Sequence, residues 1–246
     1  MDEARTAGSE PRTVDAGRGV TWWTDAWALF AKNIGMWVVL SLIMLVIFIV
    51  LSFIPLIGSL AAALLTPVFI GGWMLAARKV EGGGTLEVGD LFSGFRDKLT
   101  PLIVLGALLL AATIVIGVVV AALGIGAVGG MMAGGAHNSA GGMMAAAGTG
   151  LFALLVALVL GFAVALAMWF APALVVFRDM PPVDALKASV SASLKNIAPF
   201  LIYGLLYIVA AIVASIPFGL GWIVLVPIVL LTVYVSYKDI YESSSS

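Results

Sequence analysis

GMWVVLSLIMLVIFIVLSF, residues 35–53, runs for 19 positions without a charged, amide or imidazole side chain. Crossing a hydrocarbon core of about 30 Å takes roughly 20 residues at about 1.5 Å each, so this stretch reads as a membrane span. Five more qualify, at about 57–77, 101–123, 151–177, 198–216 and 222–237. The composition agrees: 63% of residues are hydrophobic and 10% charged, and the mean hydropathy is +1.18, far from the balance of a soluble domain. The expected fold is an all-α polytopic bundle of six transmembrane helices.

The charges orient the chain. Arg5, Arg12, Arg18 and Lys32 precede the first span, and Arg78, Lys79, Arg96 and Lys98 lie between the second and third. Arg178, Lys187 and Lys195 lie between the fourth and fifth, and Lys238 follows the sixth. The positive-inside rule then puts both termini in the cytoplasm, and the acids fall on the same side. No cleavable signal peptide is expected, because the first 20 residues are polar and the first apolar run is a full span. Cysteine is absent, which excludes disulfides and thiol chemistry. A net charge of −1 gives no reason to expect nucleic acid.

An internal repeat organises the rest. TDAWALFAKNIGMWVVLSL (24–42), GDLFSGFRDKLTPLIVLGA (89–107) and ASVSASLKNIAPFLIYGL (188–205) align with Asn33, Lys98 and Asn196 in register. Ile34, Leu99 and Ile197 then coincide, followed by Trp37, Leu102 and Phe200. Pro67, Pro172 and Pro227 interrupt the second span of each unit, and Pro67 and Pro227 each stand 11 residues before a basic residue, Arg78 and Lys238. The chain is expected to comprise a flexible tail at 1–20 and one transmembrane domain at 21–246. Its three repeats, at about 21–79, 86–177 and 181–241, each join an amphipathic helix to a two-span hairpin.

The leading helices carry apolar stripes at helical spacing: Trp23, Trp27, Phe30 and Ile34; Val88, Leu91, Phe95 and Leu99; Val183, Leu186, Val190, Leu194 and Ile197. With lysines on their flanks they are expected to lie in the membrane interface, where Trp23, Trp27, Phe30, Phe92, Phe95, Leu186 and Val190 would meet lipid or a partner. Packing on the bundle is the alternative. Asp90 is expected as an N-cap and Pro181 or Pro182 in a first turn. Trp22, Trp23, Trp73, Trp169 and Trp222 are expected as an aromatic belt.

Within the spans no ionisable or amide side chain is expected near the centre, which argues against a proton-coupled pump. Pro67, Pro172 and Pro227 should kink their helices. With Tyr203, Tyr207 and Tyr234 they would line any cavity, closely packed bent helices being the alternative. Rows of small residues, Ala163, Ala167 and Ala171 beside Gly161 and Ala165, and Ala210 and Ala214, are expected packing faces.

GGMMAGGAHNSAGGMM (129–144), inside a Gly/Ala/Met-rich periplasmic loop at about 124–150, holds the chain's one histidine. Met131, Met132, His137, Met143 and Met144 are soft enough ligands for Cu(I). Their adjacent pairing and the glycine bed read more simply as an uncharged linker, so no metal or cofactor is expected.

GRGVTWWTDAWALFAKN, GDLFSGFRDK, MWFAPALVVFRDMPPVDALKASVSASLKNIAPFLIYG and YVSYKDIY together resemble an uncharacterised family of bacterial six-helix inner-membrane proteins. More loosely, the layout is similar to the membrane domain of bacterial glycerophosphoryl diester phosphodiesterases. Neither resemblance implies a catalytic residue, and no nucleophile–base set or phosphate-cradling loop is visible. The expected role is a non-catalytic scaffold, assembly or membrane-organising factor. Its partners would be membrane lipids and a membrane protein or a second copy of itself; the alternative is a passive or lipid-handling transporter.

Overall fold

The computed structural model describes residues 10–133 and 140–242. Helix α1 (Arg18–Ala31) leads into α2 (Ile34–Ser52) and α3 (Ile57–Glu81). A 3₁₀ turn (Val88–Phe92) and α4 (Ser93–Asp97) lead into α5 (Leu99–Ala133) and α6 (Ala140–Arg178). Then α7 (Pro182–Lys195) leads into α8 (Ile197–Ser215) and α9 (Trp222–Tyr241). No strand forms among the described residues. Among the described residues six helices are long and apolar enough to span a membrane: Ile34–Ser52, Ile57–Glu81, Leu99–Gly124, Ala147–Arg178, Ile197–Ser215 and Trp222–Tyr241. These are the six expected spans, and the protein is an integral membrane protein. The second, fourth and sixth run on past the apolar stretch into Arg78 and Lys79, Arg178, and Lys238, because cations are favoured beside the unsatisfied carbonyls of a helix C-terminus.

By its internal contacts the chain divides into two compact units: Met1–Ala107 with Leu166–Ser246, and Leu108–Ala165. The second unit is two helical segments with an aliphatic surface, on which Ile114, Val115, Val118, Leu158, Val159 and Phe162 are exposed. Glycines of this unit lie open: a Cβ added at Gly117, Gly150 or Gly161 would meet nothing within 4 Å. The expected small-residue face is packed only beyond this unit, at Ala171 and, on α8, at Ala214.

In the first unit α9 is the hub, packed against α1, α2, α3 and α8. The core is aromatic. Trp22, Trp37, Trp73, Tyr234, Tyr237, Phe30 and Phe170 are its largest fully enclosed rings, and Phe170 bridges Phe200 and Tyr241 in edge contacts at 5.8 and 5.6 Å. Trp22 and Trp73, expected in a lipid-facing belt, are thus core residues; their area is best hidden where α1 and α3 cross other helices. Backbone proximity fixes one such crossing. A Cβ on Gly94 would stand 2.2 Å from the Val68 carbonyl oxygen, and one on Gly72 2.2 Å from that of Leu91.

The leading helices differ from one another and from expectation. In α1 the buried face is Gly19, Trp22, Ala26, Leu29 and Phe30. Phe30 is 1% exposed, so it belongs to the core and not to the interface, whereas Trp27 stands half out of the protein. The second leading element is a 3₁₀ turn and one short helix, not one continuous helix, and Phe92 and Phe95 both pack edge-on against Phe69 of α3. Asp90 accepts the Glu87 N–H at 2.8 Å as the third residue of a capping box, so Glu87 is the N-cap. Helix α7 starts at Pro182 with Pro181 as its cap, as expected. It buries Ala185, Ser189, Ala192 and Ser193, while Val183 and Leu194 face outward and Leu186 and Val190 are half-buried.

Each leading element meets its span through a residue out of helical conformation: Asn33 (φ −153°, ψ 51°), Lys98 (φ −141°, ψ 32°) and Asn196 (φ −115°, ψ 33°). In each case the carbonyl of that residue accepts the N–H four positions on, from Trp37, Leu102 and Phe200, at 3.1, 3.2 and 3.2 Å.

Pro67, Pro172 and Pro227 all lie inside helices and are buried. Near Pro172 a second device acts on α6. The Ser189 hydroxyl accepts the Phe170 N–H at 3.0 Å and donates to the Leu166 carbonyl at 2.7 Å, the two groups an α-helix joins to each other.

Candidate functional site

The charge-bearing end of the first unit is built from three chain segments. Residues 10–17 do not dangle as the expected flexible tail. Arg12 N–H donates to the Ile240 carbonyl at 3.0 Å, and Asn196 clamps the segment from the other side. Its Oδ1 accepts the Val14 N–H at 2.8 Å, and its Nδ2 donates to the Arg12 and Ala192 carbonyls at 3.0 and 2.9 Å. Asn196 is 1% exposed, so these bonds satisfy an amide that would otherwise be a buried cost. The helix then begins at Arg18, inside the expected tail. Residues 1–9 lie outside the described residues.

Asp239, in the last turn of α9, is the focus of this end. Its side chain is 7% exposed. Oδ1 accepts Arg12 Nη2 at 2.7 Å, and Oδ2 accepts Arg18 Nε at 2.6 Å and the Trp22 indole N–H at 2.9 Å. Two guanidinium groups and an indole thus neutralise and solvate one buried carboxylate.

Beside it, the C-terminal turns of α3 and α9 are tied together. Lys238 Nζ donates to Glu81 Oε1 at 2.6 Å, Tyr234 donates to Glu81 Oε2 at 2.7 Å, and Arg78 donates to Glu242. The Arg78 guanidinium also lies 3.6 Å from the centre of the Phe177 ring. Arg178 donates to the Tyr241 carbonyl and, at 3.3 Å, to the Tyr237 hydroxyl. On the flank Lys79 reaches both oxygens of Asp90 at 3.0 Å, and Lys98 pairs with Asp179.

These elements enclose a cleft of about 690 Å³. Arg12, Arg18, Lys32 and Lys238 line it, as do Asp25, Glu81, Asp239 and Glu242. An apolar groove of about 300 Å³ runs between α2 and α9, walled by Leu42, Leu45, Phe48, Trp222, Ile223 and Val226. Neither is lined by the prolines or tyrosines expected around a cavity. Tyr203 is buried, stacked on Trp23 at 5.1 Å and bonded to Thr232 at 3.0 Å, and Tyr234 is enclosed with its hydroxyl on Glu81. Tyr207 is half-buried.

The profile of a family described as a domain of unknown function (DUF7847) matches residues 30–240. The chain belongs to that family. It is also 32% identical, over 214 residues covering 85% of this chain and 78% of the relative, to a Burkholderia thailandensis protein named a probable inner membrane protein. No solved structure matches the chain. The DUF7847 match spans Asn196, Glu81, Lys238 and Asp239, and it starts beyond Arg12 and Arg18. Neither finding carries the looser likeness to a phosphodiesterase membrane domain.

Among the sequence candidates, Phe30, Phe92, Phe95, Tyr203 and Tyr234 are brought together as packing, and none opens on the charged cleft. The proposed Cu(I) ligand His137 lies outside the described residues, as do the side chains of Met131, Met132 and Met143; Met144 is exposed. The residues that sequence reasoning passed over are Arg12, Arg18, Asn196 and Asp239. The available signal was their type: a tail with arginines at 12 and 18, and an asparagine at the aligned junction, are what a closing strap requires.

Proposed function

We propose that this DUF7847 protein is a non-catalytic scaffold or membrane-organising factor of the bacterial inner membrane, with both termini in the cytoplasm. The carrying observation is that the first unit is closed. Its centre is filled by Trp22, Trp37, Trp73, Phe170, Tyr234 and Tyr237, and the C-terminal turns of its α3 and α9 are tied by ion pairs. A closed, aromatic centre holds a fixed shape and offers no polar path across the membrane. The three junctions at Asn33, Lys98 and Asn196, alike in backbone conformation and hydrogen bonding, support three repeated units of leading helix plus hairpin. The outward aliphatic surfaces of α7 and of Leu108–Ala165 are where lipid or a partner would lie. The basic residues, all gathered between the odd-to-even hairpins and at the termini, support the orientation.

Native mass spectrometry of protein released gently from its own membranes tests this. A stoichiometric protein partner, or a second copy, is the expected result. A monomer without a protein partner, combined with lipid movement in reconstituted liposomes, would replace the reading with a lipid-handling transporter. The groove between α2 and α9, apolar on every wall but Ser41, is the observation that favours that alternative.

A further inference from the structure

We propose that the charged cleft binds a phosphate group, presented by Arg12, Arg18 and Lys32. The inference goes beyond the scaffold reading, which does not require a ligand here. The lining carries equal numbers of cations and anions, and three of the four anions are already held in close ion pairs. Both oxygens of Asp239 are taken, by Arg12, Arg18 and Trp22. Glu81 is taken by Tyr234 and Lys238, and Glu242 by Arg78. Glu242 is engaged through one oxygen, and Asp25 lies 3.8 Å from Arg18 and is half exposed. The donors are not used up. A guanidinium has five N–H groups, and Arg12 directs two of its nitrogens and Arg18 one to Asp239. Lys32 enters no ion pair among the described residues.

Spare donors offered by the start of α1, its end and the strap before it, all lining one cleft, suit a tetrahedral anion with several acceptor oxygens better than a planar carboxylate held from one side. The cleft also lies at the level where Ile57–Glu81 and Trp222–Tyr241, two of the spans, end. That is the depth of lipid phosphates. A phosphate can therefore arrive on a lipid headgroup or free in solution.

The test uses the full chain, purified and placed either in nanodiscs of phosphatidylglycerol or phosphatidylcholine, or in detergent with excess inorganic phosphate. Bound lipid is read by native mass spectrometry and phosphate by thermal protection. Lys32→Glu is the key variant, since Lys32 is exposed and enters no ion pair among the described residues. It is expected to weaken binding about tenfold, the usual weight of one charge-assisted contact. Asp25→Asn is expected to tighten binding, and Lys187→Glu, which lies outside the cleft, to leave it unchanged. Retained phosphatidylglycerol that depends on Lys32 assigns the phosphate to a lipid, and Lys32-dependent protection by inorganic phosphate assigns it to a soluble ligand. Absence of both, or binding by Lys32→Glu equal to that of the parent, overturns the proposal. A co-purifying protein partner is read separately in the same spectra, so the scaffold reading can fail while the cleft stands, and the reverse.

Discussion

Arg78 and Lys238 hold each other's neighbouring acid. Arg78, near the end of α3, donates to Glu242, four residues after Lys238; Lys238, near the end of α9, donates at 2.6 Å to Glu81, three residues after Arg78. The exchange ties together the second and sixth spans, whose prolines stand at the same distance before these two cations. Both pairs are between a third and two-fifths exposed, so solvent screens them and each is worth about 0.5–1 kcal/mol. A double-mutant cycle on Lys238→Ala and Glu81→Ala, followed by denaturant unfolding in detergent, should return a coupling of that size. A coupling of zero would show that the two spans are held by ring packing alone.

Asp239 should be far less tolerant. Its carboxylate is nearly enclosed and satisfies three donors from two segments. Asp239→Ala leaves two guanidinium groups and an indole without their acceptor, and a loss of about 3 kcal/mol is expected. The strap should loosen first, so limited proteolysis between residues 12 and 18 should accelerate in Asp239→Ala and also in Asn196→Ala, which removes the clamp on Arg12 and Val14. Unchanged cleavage in both variants would mean that backbone contact with Ile240 suffices.

The six spans were legible because lipid imposes a length and excludes charge, two constraints that a single sequence displays directly. The faces of the helices were not. In α7 the strongest apolar stripe, Val183, Leu186, Val190 and Leu194, is turned outward or only half covered, and Ala185, Ser189 and Ala192 are buried instead. A hydrophobic stripe marks the core only where the surrounding solvent is water; beside lipid, small residues that allow close approach are preferred inside. In α1 the same ambiguity placed Phe30 in the interface and Trp22 in an aromatic belt, although the Trp22 indole is drawn inward by Asp239. The cleft was illegible for another reason. Arg12 and Asp239 are 227 positions apart, and no local periodicity records a pair made only by the fold.

Two glycines separate close approach from simple propensity. Gly94→Ala would push a methyl into the Val68 carbonyl, and the backbone shift needed to relieve it should cost about 1–3 kcal/mol. Gly117→Ala, in open space within α5, should stabilise by about 0.5–1 kcal/mol, because alanine loses less backbone freedom in a helix. Opposite shifts of the thermal midpoint are therefore expected from the same chemical change. Equal shifts would mean that the crossing of α3 over α4 is looser than the geometry requires.

Tryptophans in this core differ in what their N–H groups do. The Trp22 indole donates to Asp239, whereas those of Trp37 and Trp73, whose rings lie 5.1 Å apart, are buried with no partner among the described residues. Replacing any of them by phenylalanine removes comparable ring area, so the packing losses should be similar and the polar terms should decide the order. Trp22→Phe takes a donor from a buried carboxylate and should cost about 1.5–3 kcal/mol more than Trp73→Phe, which removes an unsatisfied N–H along with the ring. Unfolding of the two variants measured side by side checks this. If Trp73→Phe proves as damaging as Trp22→Phe, the Trp73 N–H has a partner in the membrane-embedded protein, and a buried water beside Trp37 is the first place to look.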